Sequence, residues 1–198
     1  MKVAVIGASG RVGSRLIAEL IARGHEVRGI ARQPAETGVA MVVADANDRA
    51  ALAAAIRGCD ALMVAGRFVS MHAATILGAL ADAGVPRLLV VGGAGSLFVA
   101  PGLQLIDAPG MPVEFLPEVS AGKSFLETLQ ASDADWTFLS PAAQFGPGER
   151  TGVYRLGGDD LMRDAKGESR ISFEDLAKAL VDELEEPRHR RKRFSIAY

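Results

Sequence analysis

The N-terminal stretch Lys2-Val3-Ala4-Val5-Ile6-Gly7-Ala8-Ser9-Gly10-Arg11-Val12-Gly13 constrains the fold more than any other part of the chain. An apolar run ends in three glycines spaced three apart, and an amphipathic segment follows at once. Gly7 lets the chain turn off a strand, Gly10 has no side chain to hold a phosphate away, and Gly13 lets a helix pack closely. The free N–H groups and positive end of that helix then face an anion. Between a strand and a helix, this spacing points to dinucleotide binding, whereas the glycines alone would fit an ordinary turn.

Strand-like and helix-like segments alternate after it. Residues 2–6, 26–31, 39–44, 61–65 and 87–91 read as strands. Residues 11–23 read as a helix with Val12, Leu16, Ile17, Leu20 and Ile21 on one face, stopped by Gly24. Asp48 caps a helix to about residue 57, ended by Gly58, and residues 71–83 form another, ended by Gly84. Continuous apolar strands such as Leu88-Leu89-Val90-Val91 suit a parallel sheet buried on both faces. The pattern predicts an α/β fold of the Rossmann type: a doubly wound, mostly parallel sheet with helices on both faces.

The second half is less regular. Residues 94–115, rich in proline and glycine, read as a long loop. Residues 117–131 and 173–186 read as helices, the latter with Leu176, Ala177, Leu180, Val181 and Leu184 facing inward. Residues 135–139, 151–156 and 193–198 read as strands. No linker divides the 198 residues, so one domain is expected over 1–198, with a substrate-side region from 94–118 and 142–170.

A formal net charge of −2 gives no field that would draw nucleic acid or a membrane surface. The basic run 188–193 follows Glu183, Glu185 and Glu186 and reads as a solvated edge. The single cysteine, Cys59, excludes an internal disulfide and reads as a buried thiol. The first strand starting at residue 2 leaves no room for a signal segment, which implies a cytoplasmic protein. His25, His72 and His189 lack metal-ligand spacing, so no metal site is expected.

Ligands of such sheets bind at the carboxyl ends of the strands, where strand order reverses. That brings together the Gly7–Gly13 turn with Ser9, Arg11 and Val12, the end of the second strand, Ala65-Gly66 and Gly92-Gly93. An acid ending the second strand would hold the ribose 2′-hydroxyl of NAD, and an arginine the 2′-phosphate of NADP. No acid stands there. Arg32 follows the strand and Arg11 lies in the turn, so the two either clamp a phosphate or are solvated cations. The first reading favours NADP(H) over NAD(H). Asp45, followed by Ala46, either lies near the adenine or is a turn residue. Pro141 and Ala142 after the strand ending at Ser140 are placed at the nicotinamide.

These motifs resemble the atypical short-chain dehydrogenase/reductase group, and within it small NAD(P)H-binding proteins of the NADH-flavin reductase type. Five places carry the resemblance beside the glycine turn: Val90-Val91-Gly92-Gly93-Ala94-Gly95-Ser96-Leu97, Asp135–Ala142, Pro147-Gly148-Glu149-Arg150-Thr151-Gly152, Arg170-Ile171-Ser172 and Arg193–Tyr198. Resemblance to flavin reductases of the biliverdin reductase B type and to NmrA-like redox sensors is looser. Typical members carry a Tyr-x-x-x-Lys pair, with the tyrosine as general acid. Lys123 matches the lysine, where it either reaches the ribose or is solvated. Val119 stands where the tyrosine would be and transfers no proton, so the resemblance leaves the catalytic residue unknown, with Lys123 and Ser140 as the remaining candidates.

The resemblance therefore implies an NAD(P)H-dependent oxidoreductase passing hydride to a flavin or quinone-like acceptor, acting as a monomer or homodimer. An NmrA-like redox sensor, or an epimerase or dehydratase with another acid, are the alternatives. Leu97, Phe98, Leu103, Ile106, Met111 and Phe115 either line an apolar acceptor pocket or fill core beneath the loop.

Overall fold

The computed structural model describes all residues, 1–198. Its elements in chain order are β1 (Lys2–Ile6), α1 (Arg11–Ala22), β2 (Glu26–Ala31), β3 (Ala40–Val43), α2 (Arg49–Ile56), β4 (Ala61–Val64), α3 (Ala73–Ala83), β5 (Arg87–Val91), β6 (Phe98–Ala100) and β7 (Leu103–Gln104). There follow α4 (Leu116–Gln130), β8 (Asp135–Ser140), β9 (Gln144–Gly146), β10 (Arg155–Gly157), β11 (Arg170–Ser172), α5 (Phe173–Glu185) and β12 (Lys192–Ala197).

Eight strands form one sheet in the order β10-β12-β8-β5-β4-β1-β2-β3. Every pairing is parallel except β10 with β12. Strand order reverses between β1 and β4, which is where such a sheet opens a crevice at its carboxyl edge. Side chains alternate across the strands. Ala4 and Ile6 join one core with Leu62, Val64, Leu88 and Val90 beneath α2, α3 and α4. Val3 and Val5 join the other with Met63, Leu89 and Leu139 beneath α1 and α5.

Helix punctuation follows local chemistry. The Asp48 carboxylate accepts from the Ala51 N–H at 3.0 Å and caps α2. Gly24 (φ +78°) closes α1, with the Gly24 and His25 N–H groups returning to Ile21 and Leu20 carbonyls. Two details of the sequence pattern are corrected. Ile21 is 49% exposed and lies off the buried stripe, whereas Glu19 is buried. Its carboxylate is held by Arg23 and by both donating nitrogens of Arg150, so the stripe tolerates an acid.

Residues 94–115 are not a plain loop. The Phe98–Ala100 and Leu103–Gln104 segments pair as a hairpin, and short 3₁₀ turns cover Leu105–Asp107 and Val113–Phe115. The expected strand over 151–156 starts at Arg155. β9 and β11 form a separate two-stranded parallel sheet, each too short to show a period. In the basic run Arg188, Arg190, Arg191 and Lys192 are exposed as expected, and Arg193 is the exception. The Arg193 side chain is 6% exposed and bonds Asp159 and the Ser96 carbonyl and hydroxyl. Arg188, His189, Arg190 and Arg191 each meet a carboxylate.

Candidate cofactor site

Gly7 has φ +77°, and a Cβ on it would stand 2.7 Å from the Ala65 carbonyl oxygen. The turn after β1 and the end of β4 are therefore pressed together at the point where strand order reverses. A Cβ on Gly13 would overlap the Gly7 carbonyl oxygen. Gly13 is needed for contact between helix and turn, rather than between helix and sheet as the sequence pattern implied. The Gly10 N–H donates to the Gly7 carbonyl at 2.8 Å, and the Ser14 N–H to Gly10 at 3.0 Å. Gly10 is the N-cap of α1, no side chain caps it, and the first turn holds no acid. The N–H groups of Arg11, Val12 and Gly13 have no acceptor within the protein. Unpaired donors at the positive end of a helix form an anion site, and the missing Cβ atoms keep the cradle open to a pyrophosphate. Ser9, exposed, lies at its lip.

Arg32 is exposed just beyond β2, with no ion pair or hydrogen bond. Arg11 is placed differently. Its guanidinium lies 5.6 Å from the centre of the Phe173 ring at the start of α5. Both arginines are exposed and neither meets a carboxylate; Arg32 has no side-chain hydrogen bond where β2 ends. Asp45 is exposed and accepts from the Asn47 N–H at 2.9 Å. It makes a turn, while Ala46 beside it is buried.

Two residues that the sequence did not mark hold the crevice wall. The Asn47 side chain donates to the Ser70 carbonyl and accepts from the His72 N–H. Glu118, in the first turn of α4, accepts from the Phe68 N–H at 2.7 Å and the Val69 N–H at 3.3 Å. Both bonds span long sequence separations, so no local pattern announces them.

The other glycines at the strand ends serve packing as well. A Cβ on Gly92 would overlap the Phe138 ring, and one on Gly66 would meet the Met71 sulfur at 2.9 Å. Gly93 is open, with its nearest neighbour, Phe68, at 4.0 Å. Phe68 lies against Phe125 and Phe138, giving the crevice an aromatic floor.

Val119 now has a structural reason. A Cβ on Gly95 would overlap its side chain, so a branched aliphatic group fills the space between α4 and the segment after β5. Lys123, one turn further along the same face of α4, is half-buried with no partner. Ser140 is fully buried at the end of β8, and its hydroxyl has no partner. Pro141 and Ala142 follow, both buried. The chain's two tyrosines are engaged elsewhere. The Tyr154 hydroxyl bonds Asp182 and Lys178, and the Tyr198 hydroxyl bonds Asp175 and Ser172. Burial raises the pKa of both phenols.

A family profile described as NAD(P)H-binding matches residues 7–187. The chain belongs to the NAD(P)H-binding family. It is 42% identical to the YwnB protein of Bacillus subtilis over 99% of this chain and 98% of that one. Among solved structures, a candidate epimerase from Bacteroides thetaiotaomicron is 43% identical, with TM-score 0.93 over 100% of this chain and 96% of that one. A candidate NADH-flavin reductase from Streptococcus pneumoniae is 35% identical, with TM-score 0.88 over 100% and 99%. The glycine cradle and the single-domain doubly wound sheet are the parts of this chain that fit the family's description. No helix is long and apolar enough to cross a membrane.

The residues expected either to line an apolar acceptor pocket or to fill core beneath the loop are spread over all degrees of burial. Leu97 is buried in the core, Phe98, Leu103, Ile106 and Met111 are half-buried, and Phe115 is 56% exposed. None of them lines the cavity of about 790 Å³, which lies instead over β9 and β11.

Proposed function

We propose that the protein is an NADPH-linked reductase that passes hydride to a flavin or quinone-like acceptor without a catalytic tyrosine. The observation that carries this reading is Val119 packed against Gly95, with both tyrosines bonded to carboxylates of α5. An electron-poor ring needs no protein acid: it accepts a hydride as two electrons and a proton, and its second proton comes from solvent. When bound, a reduced nicotinamide supplies that hydride. The protein's part is to orient donor and acceptor at roughly 3–3.5 Å.

Particular residues support that work. The α1 N-terminus and the bare Gly7–Gly13 turn receive the pyrophosphate. Arg32, free at the end of β2 where no carboxylate stands, receives the 2′-phosphate. Lys123 reaches the nicotinamide ribose from α4, while the fully buried Ser140 hydroxyl lies at the end of β8. Asp45 keeps one carboxylate oxygen free toward the adenine. The name of the Streptococcus relative agrees with hydride transfer to a flavin and specifies NADH as the donor. That of the Bacteroides relative describes a reaction which, in the usual mechanism, needs the tyrosine this chain lacks.

Steady-state oxidation of NADPH and NADH with FMN, riboflavin and menadione as acceptors tests the reading. Turnover is expected with NADPH at lower KM than with NADH. Arg32→Ala should raise the NADPH KM about tenfold, the loss of roughly 1.4 kcal/mol of charge-assisted binding, and leave NADH unchanged. Equal use of both cofactors by wild type and variant would remove the NADPH assignment. Absence of turnover with every acceptor would remove the reductase assignment.

A further inference from the structure

The cavity over β9 and β11 is not part of the glycine crevice. It is separated from the α1 N-terminus by a stack in which Arg11 lies over Phe173, and Phe173 meets Phe145 edge-on at 4.5 Å. Phe145 lines the cavity on its other side. β9 begins four residues after Ser140, so the cavity opens beside the carboxyl end of β8.

Its floor has a definite polarity. Gln144 pairs with Arg170 and Gly146 with Ser172 in the parallel register, so all four residues share one face of the small sheet. At one end stand the Gln144 amide and the Arg170 guanidinium, both exposed. Arg170 stands 3.6 Å from Glu168, beyond a good hydrogen bond, and its charge also reaches Asp164; no hydrogen bond occupies its guanidinium. Gly146, level with Ser172, leaves the far part of the floor bare: a Cβ there would meet nothing within 4 Å. At the other end, about 7 Å along the strand, the Ser172 hydroxyl donates to the Glu149 carbonyl. Glu149 and Tyr198 line that end. Ser172 and Tyr198 are fixed by Asp175, so the wall is held from beneath.

We propose that this cavity is the acceptor site and that Arg170 with Gln144 binds an anionic group of the acceptor, a phosphate or a carboxylate. The flat part of the acceptor lies over the bare Gly146 beside Ser172, and Glu149 at that end takes hydrogen-bond donors. This rests on the reductase reading for its role, though not for the binding itself. A guanidinium with most of its donors unused beside a side-chain amide recognises an oxyanion by paired charge-assisted bonds.

Binding is measured directly, on protein saturated with NADP⁺, by quenching of flavin fluorescence with FMN and riboflavin. A carboxylate-bearing naphthoquinone and menadione form a second pair, followed by calorimetry. The wild-type protein should bind the anionic member of one pair at least tenfold more tightly than its neutral partner. The pair that shows this names the anion, phosphate or carboxylate. Arg170→Gln should abolish that discrimination by weakening only the anionic ligand, with NADP⁺ affinity unchanged. Gly146→Val should weaken both members of the pair. Equal binding of anionic and neutral members in both pairs, no binding of any of the four, or discrimination that survives Arg170→Gln would overturn the proposal. If discrimination appears without NADPH oxidation, the binding site stands and the reductase reading fails. If oxidation proceeds without discrimination, the reverse holds.

Discussion

The N-termini of α1 and α5 lie on the same face of the sheet, yet they are finished in opposite ways. α5 is closed by the protein itself. The Ser172 hydroxyl accepts from the Asp175 N–H at 3.0 Å, and Glu174 and Asp175 stand in the first turn. Those carboxylates also collect the Gly148, Thr151 and Gly152 N–H groups. α1 has glycine at its cap, no acid in its first turn and unused N–H groups. An isolated helix gains about 1 kcal/mol from a side-chain cap, and α1 forgoes it. One terminus is a structural joint; the other is left available for an anion from outside.

Exchanging these features should break the comparison. The largest effect is expected from Gly10→Asp. A carboxylate at the cap satisfies α1 from within, which offsets the 3.0 Å approach of the new Cβ to the Gly7 carbonyl oxygen, so thermal stability should change little. NADPH affinity should fall about 100-fold or more, because like charges about 4 Å apart repel by roughly 4 kcal/mol near a surface. Calorimetric titration and a melting curve read the two effects separately. A joint loss of stability and binding would mean the substitution had only broken the turn.

The reverse change removes the joint at α5. Asp175→Ala strips acceptors from Thr151, Gly152 and Tyr198. A loss of about 3 kcal/mol in denaturant unfolding is expected, since each bond to a charged group contributes roughly 1.5–3 kcal/mol. NADPH affinity should not move. A fall in affinity equal to that of Gly10→Asp would erase the distinction between the two termini.

A smaller effect concerns pH. Glu19 ties α1 to the strap that α5 holds. The hydrogen bonds from Arg150, foremost, and then those from Arg23 outweigh its burial and lower its pKa below the ordinary 4.5. A depressed folded pKa gives stability that is complete above the unfolded value and is lost as pH falls through the folded one. Unfolding curves from pH 6 down to about 3 should therefore steepen below about 4.5, the ordinary value for this group. Glu19→Gln should flatten that part of the profile; an unchanged acid slope would count against the tie.

The same contrast explains what the sequence could reveal. β1, α1, β2, α2, β4, α3 and β5 were legible because each is defined by its own apolar period and its own stop, such as Asp48 or Gly84. The glycine turn was legible for the same reason. β9 and β11 were not, being three residues each and formed only because Asp175 and Glu174 hold the intervening strap. Glu118 and Asn47 were missed since their partners lie 50 and 25 residues away at Phe68 and His72. The contact of Arg11 with the Phe173 ring, brought in by α5, was not legible either, since the two lie far apart in the chain. The cavity over β9 and β11 follows the same rule: its walls come from segments far apart in the chain, so no local pattern announces it.

The central claim is hydride transfer by orientation alone, with Val119 in place of a proton donor. Single-turnover mixing of NADPH-loaded protein with FMN or menadione, using NADPH deuterated at the transferred position of C4, tests it most directly. Oxidation that deuterium slows several-fold, and that Val119→Ala does not abolish, is the predicted result. Tight NADPH binding with no oxidation by either acceptor would contradict the account.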